Sequence, residues 1–453
     1  MRFKKRLMFG GLILGWLAMA WSGWLPRPTD VQRKSTGLLE GPPMSARGER
    51  NAFAALWLSP YDVLPSEREG MMQSDLMRYR SQAGVRNGFQ PGPEGVRPNQ
   101  LPTKEEGAVL CKASQSGCLA TIRHGLDAAR TVLARHAALL ERLRALSAYD
   151  HVHYLFPPRY DSPIPALQYQ GALMDSDAAL RFVDGDKAEG MTRACAATVI
   201  WRRFALHSDQ LIVQMVAVRY FMGAATLVGE MLAEWPLDAP LPSACEEAFA
   251  PMDATAMDLC DSLRAKYVSN KAVLESMTDT TSSMWNSEGE SRKSVHFGRA
   301  LVGTALKFVL HPDGAAAMTA PTYAAMCTSD SDVHVEAIRL SHDSAIGYCG
   351  MQGELFNPLG CYMAHVSNPD ALPYSARYGM LFVANRLLRA SLDLRESAGK
   401  PHREHDNAAV SRTEPSDVVE DSVRRILSTK RSYVRPDESQ YLSIPMPASA
   451  LHR

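Results

Sequence analysis

The strongest constraint on this chain is an apolar stretch at residues 7–25 that carries no charged side chain. A helix needs about 20 apolar residues to cross the hydrocarbon core of a bilayer, so the stretch is long enough to span it. It is preceded by four basic residues, Arg2, Lys4, Lys5 and Arg6. Because basic flanks stay in the cytoplasm, the rest of the chain is sent across the membrane. We therefore predict a signal anchor over residues 1–26, a single pass of a bacterial inner membrane, with the bulk of the chain in the periplasm.

A cleaved signal peptide is the alternative. Residues 7–17 have the length of a signal-peptide core, and the sequence Ala-Met-Ala ending at Ala20 fits a cleavage site. The apolar stretch continues through Trp21 to Leu25, which favours an anchor over cleavage. Both hypotheses place the chain after about residue 27 outside the cytoplasm.

The balance of charge bears on the class of partner. The chain has 49 Lys and Arg against 49 Asp and Glu. Since residues 1–26 hold four basic residues and no acidic one, the exported part has a small net negative charge. This argues against nucleic acid or an anionic lipid surface as the main partner. We predict no nucleic acid partner and no cofactor.

All eight cysteines follow the apolar stretch, and an even number of cysteines in an oxidising compartment indicates disulfides. Eight cysteines allow 105 pairings, so the sequence does not determine their connectivity. Local spacing favours three short-range pairs and leaves one long-range pair: Cys111–Cys118, Cys245–Cys260, Cys349–Cys361 and Cys195–Cys327. Buried free thiols are the alternative. No C-x-x-C occurs, so the sequence lends no support to a zinc ribbon or a thioredoxin-like site.

Helical periodicity dominates the exported part. Apolar residues recur every three or four positions over residues 118–148, 209–234 and 371–394. The segment His207-Ser208-Asp209 separates a helix at 187–206 from that at 209–234, which predicts an αα-hairpin. We predict an all-α fold, an irregular multi-helix domain with αα-hairpins over residues 51–396. A linker at 27–50 precedes it. A polar, largely disordered tail at 397–453 follows, with one short helix predicted at 417–427.

No local motif names a reaction, because Walker A, G-x-S-x-G, G-x-G-x-x-G and H-E-x-x-H patterns are all absent from the sequence. Weak candidates remain. The histidines and acids of residues 402–406 resemble metal ligands, as do His151 and His153, which share a face of an extended chain. A charged flexible tail and turn residues, respectively, explain them better.

Three further candidates are equally weak. Residues 342–344 contain His, Asp and Ser, but consecutive residues rarely adopt a triad geometry. Glu230 and Glu234 lie one helical turn apart and are candidates for an acid–base pair or for ordinary surface carboxylates. Trp201 is expected in the hairpin core, with Arg202 and Arg203 facing solvent, acids or an anionic group. We assign no catalytic, cofactor-binding or metal-binding residue from the sequence.

The layout resembles that of many bacterial envelope proteins, and this resemblance carries no functional residue with it. We predict a membrane-anchored periplasmic helical protein that acts through protein–protein interaction with another envelope protein, as an assembly, secretion-accessory or immunity factor. An exported hydrolase with a site assembled from distant residues is the alternative. A third hypothesis is an apolar ligand held between the helices.

Overall fold

The structure is a computed structural model, and it describes residues 28–41, 50–81, 89, 92, 101–112, 116–158, 162–236, 238–252, 259–284, 311–328, 330–333, 336–337, 357–367, 371–398, 418–421, 426–429 and 443–445. The predicted signal anchor at 1–26 and a helix that the sequence indicates at 298–310 lie outside these residues.

The described part of the chain is mostly helical. In the N-terminal half the helices are α1 (Asp30–Leu39), α2 (Phe53–Trp57), α3 (Arg68–Ser81), α4 (Lys104–Ala108), α5 (Cys118–His124), α6 (Leu126–Arg135), α7 (Ala137–Arg144), α8 (Gln170–Val183) and α9 (Lys187–Leu206). They are followed by α10 (Leu211–Ala233), α11 (Ala244–Phe249), α12 (Cys260–Met284), α13 (Pro312–Ala324), α14 (Pro358–Ser367) and α15 (Ala371–Ala398). Short 3-10 turns occur at Pro65–Glu67, Ala145–Ala148 and Ala325–Cys327.

The centre of the domain is the antiparallel hairpin of α9 and α10, as predicted. Helix α8 packs on both members of the hairpin, and α15 covers another side of α10. Glycines allow this close approach, because a Cβ at Gly171 would lie 2.2 Å from the Tyr220 ring and one at Gly190 would lie 2.6 Å from the backbone nitrogen of Phe182. Within the described residues, α10 alone is long and apolar enough to cross a membrane. Most of it is buried inside the domain, so we interpret it as a core helix.

The helix predicted over residues 118–148 is divided in the structure into α5, α6, α7 and a 3-10 turn. Its interruptions fall at Gly125 and at His136, which end one helix and precede the next. His136 is buried, and its Nε2 lies 3.3 Å from a carboxylate oxygen of Glu106. The apolar period was therefore right about the buried face and wrong about continuity, because the backbone leaves the helical conformation at Gly125 (φ −115°) and at His136 (φ −99°).

The linker predicted at 27–50 is wrong over its first half. Residues 30–39 form α1, which packs against α13 and α12. Its start is capped by Thr29, whose hydroxyl accepts from the Gln32 N–H while the Gln32 side chain accepts from the Thr29 N–H. Helix α13 was not predicted either, because the Ala-rich sequence there is apolar on all sides and has no amphipathic period.

The C-terminal tail holds a small antiparallel sheet in the order β1-β2-β3. Its strands are β1 (Val418–Asp421), β2 (Ile426–Thr429) and β3 (Ser443–Pro445). Strands β2 and β3 lie against α15, and β3 also contacts α10. The short helix predicted at 417–427 is therefore wrong, since all of its described residues, 418–421 and 426–427, lie in strands that pair with each other.

Disulfides cross-link the helices in a pattern that the sequence predicted only in part. Cys111–Cys118 is confirmed. The predicted pairs Cys245–Cys260 and Cys195–Cys327 are wrong, because the structure joins Cys195 to Cys245 and Cys260 to Cys327. The reason is tertiary: α11 packs on α9, and the start of α12 lies at the end of α13. Cys361 is also disulfide-bonded, and its predicted partner Cys349 lies outside the described residues.

Candidate functional site

Some of the candidates from the sequence can be located and others cannot. The His- and acid-rich residues 402–406 and the set at 342–344 lie outside the described residues. Glu230, Glu234, the pair His151 and His153, and the run from Trp201 to Arg203 are all described. In the part of the chain that the structure describes, no group of three or more His, Cys, Asp or Glu side chains is placed to hold a metal ion.

Glu230 fastens the first turn of α5 to the central hairpin. Its side chain is buried, and its oxygens accept from the backbone N–H groups of Gly117, Cys118 and Leu119, the last two at 3.3 and 3.0 Å. These are N–H groups that a helix start leaves without an intrahelical partner. Glu234 instead pairs with Arg123 at the other end of α5. The two glutamates therefore bind opposite ends of one short helix and do not form an acid–base pair with each other.

A second buried carboxyl, Asp175 on α8, lies close to Glu230. Within the described residues its Oδ1 has no hydrogen-bond partner. Burial, and then the charge of Glu230, raise the pKa of Asp175 well above its ordinary value. The neighbouring Asp177 on the same helix differs, because Arg144 and Arg193 each donate to its carboxylate at 2.7 Å. Asp175 is thus a buried carboxyl group without the cationic partners of Asp177, and burial favours its protonated form.

Tyr220 on α10 is the third polar group of this cluster. Burial, with a smaller contribution from Asp175, raises the pKa of Tyr220 to about 12. Its hydroxyl donates to the backbone carbonyl of Leu167. Asp175 and Tyr220 were not among the candidates from the sequence. The acid inside the apolar run of α8 was a usable signal, since ionisable groups are rarely buried without a role.

The cluster of Glu230, Asp175 and Tyr220 has a structural role. It lies where the loop closed by the Cys111–Cys118 disulfide is attached to the rest of the domain. Ser176, next to Asp175, accepts from the backbone N–H of Cys111 at 2.8 Å. Glu230 holds the other end of the loop through the N–H groups at its Cys118 end. The loop is therefore fastened to α8 at one end and to α10 at the other, and the buried carboxyl of Asp175 lies next to these attachments.

The raised pKa of Asp175 predicts a pH dependence of stability. The folded state holds this proton more tightly than the unfolded state, whose Asp pKa is about 3.9. The associated stability is fully present below that value and is lost as pH rises through the higher folded pKa. We therefore expect the free energy of unfolding of the wild type to fall with rising pH, compared with that of Asp175→Asn. The fall is about 1.4 kcal/mol for each pKa unit that separates the folded from the unfolded state.

Urea unfolding of both proteins at several pH values measures this difference. The matched control is Asp127→Asn, because the Asp127 side chain is 96% exposed and its substitution should leave the pH profile unchanged. Parallel stability curves for the wild type and Asp175→Asn would contradict the prediction.

His151 and His153 lie in an extended segment that joins two other parts of the chain. His151 pairs with Asn51 in a parallel bridge, and Val152 pairs with Ser208 in another. His151 is buried and His153 is exposed. Nδ1 of His153 lies 2.6 Å from Oδ2 of Asp209, whereas Nδ1 of His151 has no hydrogen-bond partner within the described residues. The structure thus replaces the hypothesis of a shared metal with a His153–Asp209 pair.

The two imidazoles are shifted in opposite directions. The hydrogen bond to Asp209 raises the pKa of His153, whereas burial lowers the pKa of His151. Asp209 also accepts from the backbone N–H of Tyr154 at 2.9 Å, which orients its carboxylate. A carboxylate and the imidazole that it orients are two of the three residues of a Ser-His-Asp hydrolytic triad. No serine hydroxyl in the described residues hydrogen-bonds the His153 ring, and every described cysteine is in a disulfide.

We expect Asp209→Asn to lower the pKa of His153 measured by NMR titration of its ring protons. The stability from this pair is fully present below the unfolded His pKa, about 6.5, and is lost as pH rises through the raised folded value. Since the His153 side chain is 54% exposed, the effect on unfolding should be small. The control variant is Asp127→Asn, an exposed carboxylate paired with Arg130, and an unchanged His153 titration in Asp209→Asn would contradict the assignment.

The run from Trp201 to Arg203 is structural. Trp201 is buried beside Tyr220 and Phe204, as expected for the hairpin core. Arg202 is buried and donates to the carbonyl of Ala250. Arg203 donates to the carbonyls of Ser147 and Tyr149 and to Glu247. The two arginines therefore connect α9 to the segments around it, and the geometry favours this role over an anion site.

Comparison of the chain with protein-family models, with curated proteins and with solved structures gives no match.

Proposed function

We propose that the chain is an envelope protein anchored in a bacterial inner membrane, whose helical domain lies in the periplasm and acts by binding another envelope protein. The observation that carries the proposal is the set of disulfides Cys111–Cys118, Cys195–Cys245 and Cys260–Cys327. No described cysteine is free. Such bonds persist in oxidising compartments and are rare in a reducing cytosol, which agrees with export directed by the apolar stretch at 7–25.

The arrangement of buried polar groups supports binding over catalysis. Glu230, Asp177 and Arg202 each bind backbone groups or charged side chains of neighbouring elements. A domain whose charged interior groups hold helices in place offers a rigid scaffold, and rigid helical surfaces recognise partner segments through apolar side chains. Four large apolar side chains are more than half exposed in the described residues and are candidate contacts: Leu64, Met77, Ile164 and Tyr362.

Thiol labelling tests the compartment. The full chain is expressed in a bacterial host, and its thiols are alkylated under denaturing conditions before and after reduction. We expect the six cysteines of these three disulfides to react with the alkylating reagent only after reduction. Free labelling without reductant, or a fusion reporter active only in the cytosol, would overturn the export on which the proposal rests.

Photo-cross-linking in cells tests the mode of action. A benzophenone amino acid is placed singly at Leu64, Met77, Ile164 or Tyr362, with the 96%-exposed Asp127 as the polar control position. We expect one partner of defined mass to be captured at a subset of the apolar positions and not at Asp127. Adducts that are absent at every position, or equal at all five, would count against a protein-binding function.

An exported hydrolase is the second candidate, favoured by the His153–Asp209 pair. The variant His153→Gln separates the two functions, because it removes the oriented imidazole while leaving the fold intact. If the domain hydrolyses esters, a panel of chromogenic acyl esters should be turned over by the wild type and not by His153→Gln. Equal background rates for both proteins would exclude this role for the pair.

A further inference from the structure

Helix α1 begins very close to the end of the apolar stretch. The stretch ends at Leu25, and Thr29 already caps the helix that starts at Asp30. Three residues, 26–28, lie between them. An extended chain covers about 3.3–3.6 Å per residue, so the step from residue 25 to residue 29 spans at most about 14 Å.

Helix α1 is an integral part of the folded domain and does not act as a free stalk. Ser35 and Leu39 are buried. Arg264 on α12 donates to the carbonyl of Leu38 at 2.8 Å, and Lys271 on the same helix lies 2.6 Å from Glu40. The position of α1 relative to α12 and α13 is therefore set by packing, hydrogen bonds and ion pairs along its length.

These contacts also give α1 a direction. At the middle of α1, the side chain of Lys34 pairs with Asp330, which follows the end of α13. At its C-terminal end, Glu40 shares Lys271 with Asp313, near the start of α13. Helices α1 and α13 are therefore antiparallel. The Cys260–Cys327 disulfide brings the start of α12 to the same place as the end of α13. We call the group formed by the start of α1, the start of α12, Ala325–Cys327 and Asp330 the proximal end.

From these observations we infer that the proximal end is apposed to the lipid headgroups of the membrane that holds residues 7–25. The inference rests on the membrane anchor of the proposed function. The headgroup layer is about 5–8 Å thick on each side of a bilayer. A span of at most about 14 Å therefore places the start of α1 within this layer or just above it.

The chemistry of the proximal end fits a zwitterionic headgroup surface. Arg33 pairs with Asp30, and Lys34 pairs with Asp330, so positive and negative groups alternate there. Met326 adds an apolar side chain that is 40% exposed. Asp332, which acts on Lys34, and Asp261 in the first turn of α12 add negative charge, so the short tether, and not electrostatic attraction, holds this surface at the bilayer.

Lipid photo-cross-linking of the full chain in phosphatidylcholine nanodiscs tests the inference. A benzophenone amino acid replaces Met326, about 300 residues after the anchor in sequence but at the proximal end in space. The matched control replaces Asp313, an exposed residue at the opposite end of α13. A helix of this length spans about 20 Å. We expect the lipid adduct at position 326 to exceed that at 313 several-fold.

The possible failures are distinguishable. If the purified chain begins near Trp21 and is not retained in the disc, the anchor and the proposed function fail together with the inference. If the chain is retained but positions 326 and 313 give equal lipid adducts, only the inference fails. An adduct between two copies of the chain at position 326 likewise overturns it, because that surface would then be an interface between copies.

A lengthened tether provides a second test on a folded protein. A Gly/Ser linker of about 20 residues, with a mean span of about 25 Å, is inserted between Pro26 and Arg27. The circular dichroism spectrum and the Cys260–Cys327 disulfide should be retained. We expect the lipid adduct at position 326 to fall several-fold, toward that at 313, and an unchanged yield would overturn the inference that the tether sets this placement.

Discussion

Replacing Cys195 and Cys245 together by alanine is expected to lower the free energy of unfolding by about 4 kcal/mol. The disulfide closes a loop of 50 residues between α9 and α11, and the chain-entropy model gives about this value for such a loop. Alanine is the suitable replacement because both positions are buried, and a serine hydroxyl there would add the cost of an unpaired polar group. Urea unfolding under non-reducing conditions measures the change.

The loop closed by Cys111–Cys118 offers an internal comparison. Its cysteines are only 7 residues apart, so the same entropy model assigns its removal about 2 kcal/mol. A Cys111→Ala, Cys118→Ala variant should therefore be clearly more stable than the variant at 195 and 245. If the two double variants lose the same stability, loop length is not what governs the contribution of these bonds, and strain or contacts in the folded state must be considered first.

Glu230→Ala is the second change with a large expected effect, a loss of about 3–5 kcal/mol. The substitution removes one buried carboxylate that accepts three backbone N–H groups at the start of α5. Hydrogen bonds to charged groups are worth about 1.5–3 kcal/mol each, and the values are not additive. Unsatisfied N–H groups beside α8 would add to the loss. The measurement is again the free energy of unfolding from urea titration.

Glu234→Ala is the matched control for Glu230→Ala, because it lies one turn further along α10 and pairs with Arg123 at a partly exposed site. Surface ion pairs of this kind are worth about 0–1 kcal/mol. Comparable losses for the two variants would show that the attachment of α5 does not depend on Glu230. The pKa of Asp175 gives a further readout, since removal of the neighbouring charge of Glu230 should lower it toward its ordinary value.

The α9–α10 hairpin shows what local sequence predicts well. Residues 187–206 were predicted as a helix with the bounds that the structure gives to α9, and α10 begins and ends within two residues of its prediction. The two long apolar-periodic segments are separated by a polar break at residues 207–209. The ends of such helices can be predicted, because a helix cannot bury an apolar face beyond its last periodic residue. Helix α15 was predicted for the same reason, with its end four residues too early.

The elements that were missed lack such a period. Helix α13 is buried on all sides, so its Ala-rich sequence has no polar face to reveal a helix. The polar character of α1 suggested a linker, whereas Thr29 caps it and ion pairs to Asp330 and Lys271 hold it on the domain. The strands β1 and β2 stand where a helix was predicted, because their pairing depends on each other and on α15.

In the candidate site, too, local sequence identified residues, and only tertiary packing decided their partners. From the sequence alone, His151 and His153 were equivalent, and Glu230 and Glu234 were candidates for either an acid–base pair or ordinary surface carboxylates. The structure separates each pair, since His153 reaches Asp209 while His151 is buried, and Glu230 binds backbone N–H groups while Glu234 binds Arg123. A side chain's role depends on which element packs opposite it, and that information is not local.

The sequence by itself determined the helical class and the central hairpin and favoured the Cys111–Cys118 bond, because each depends on residues close together in the chain. Only the tertiary structure decided that Cys195 joins Cys245, that Cys260 joins Cys327 and that Asp175 is buried beside Glu230. These contacts join residues about 50 or more positions apart. They form only when the apolar faces of separate helices pack together and carry their polar side chains with them.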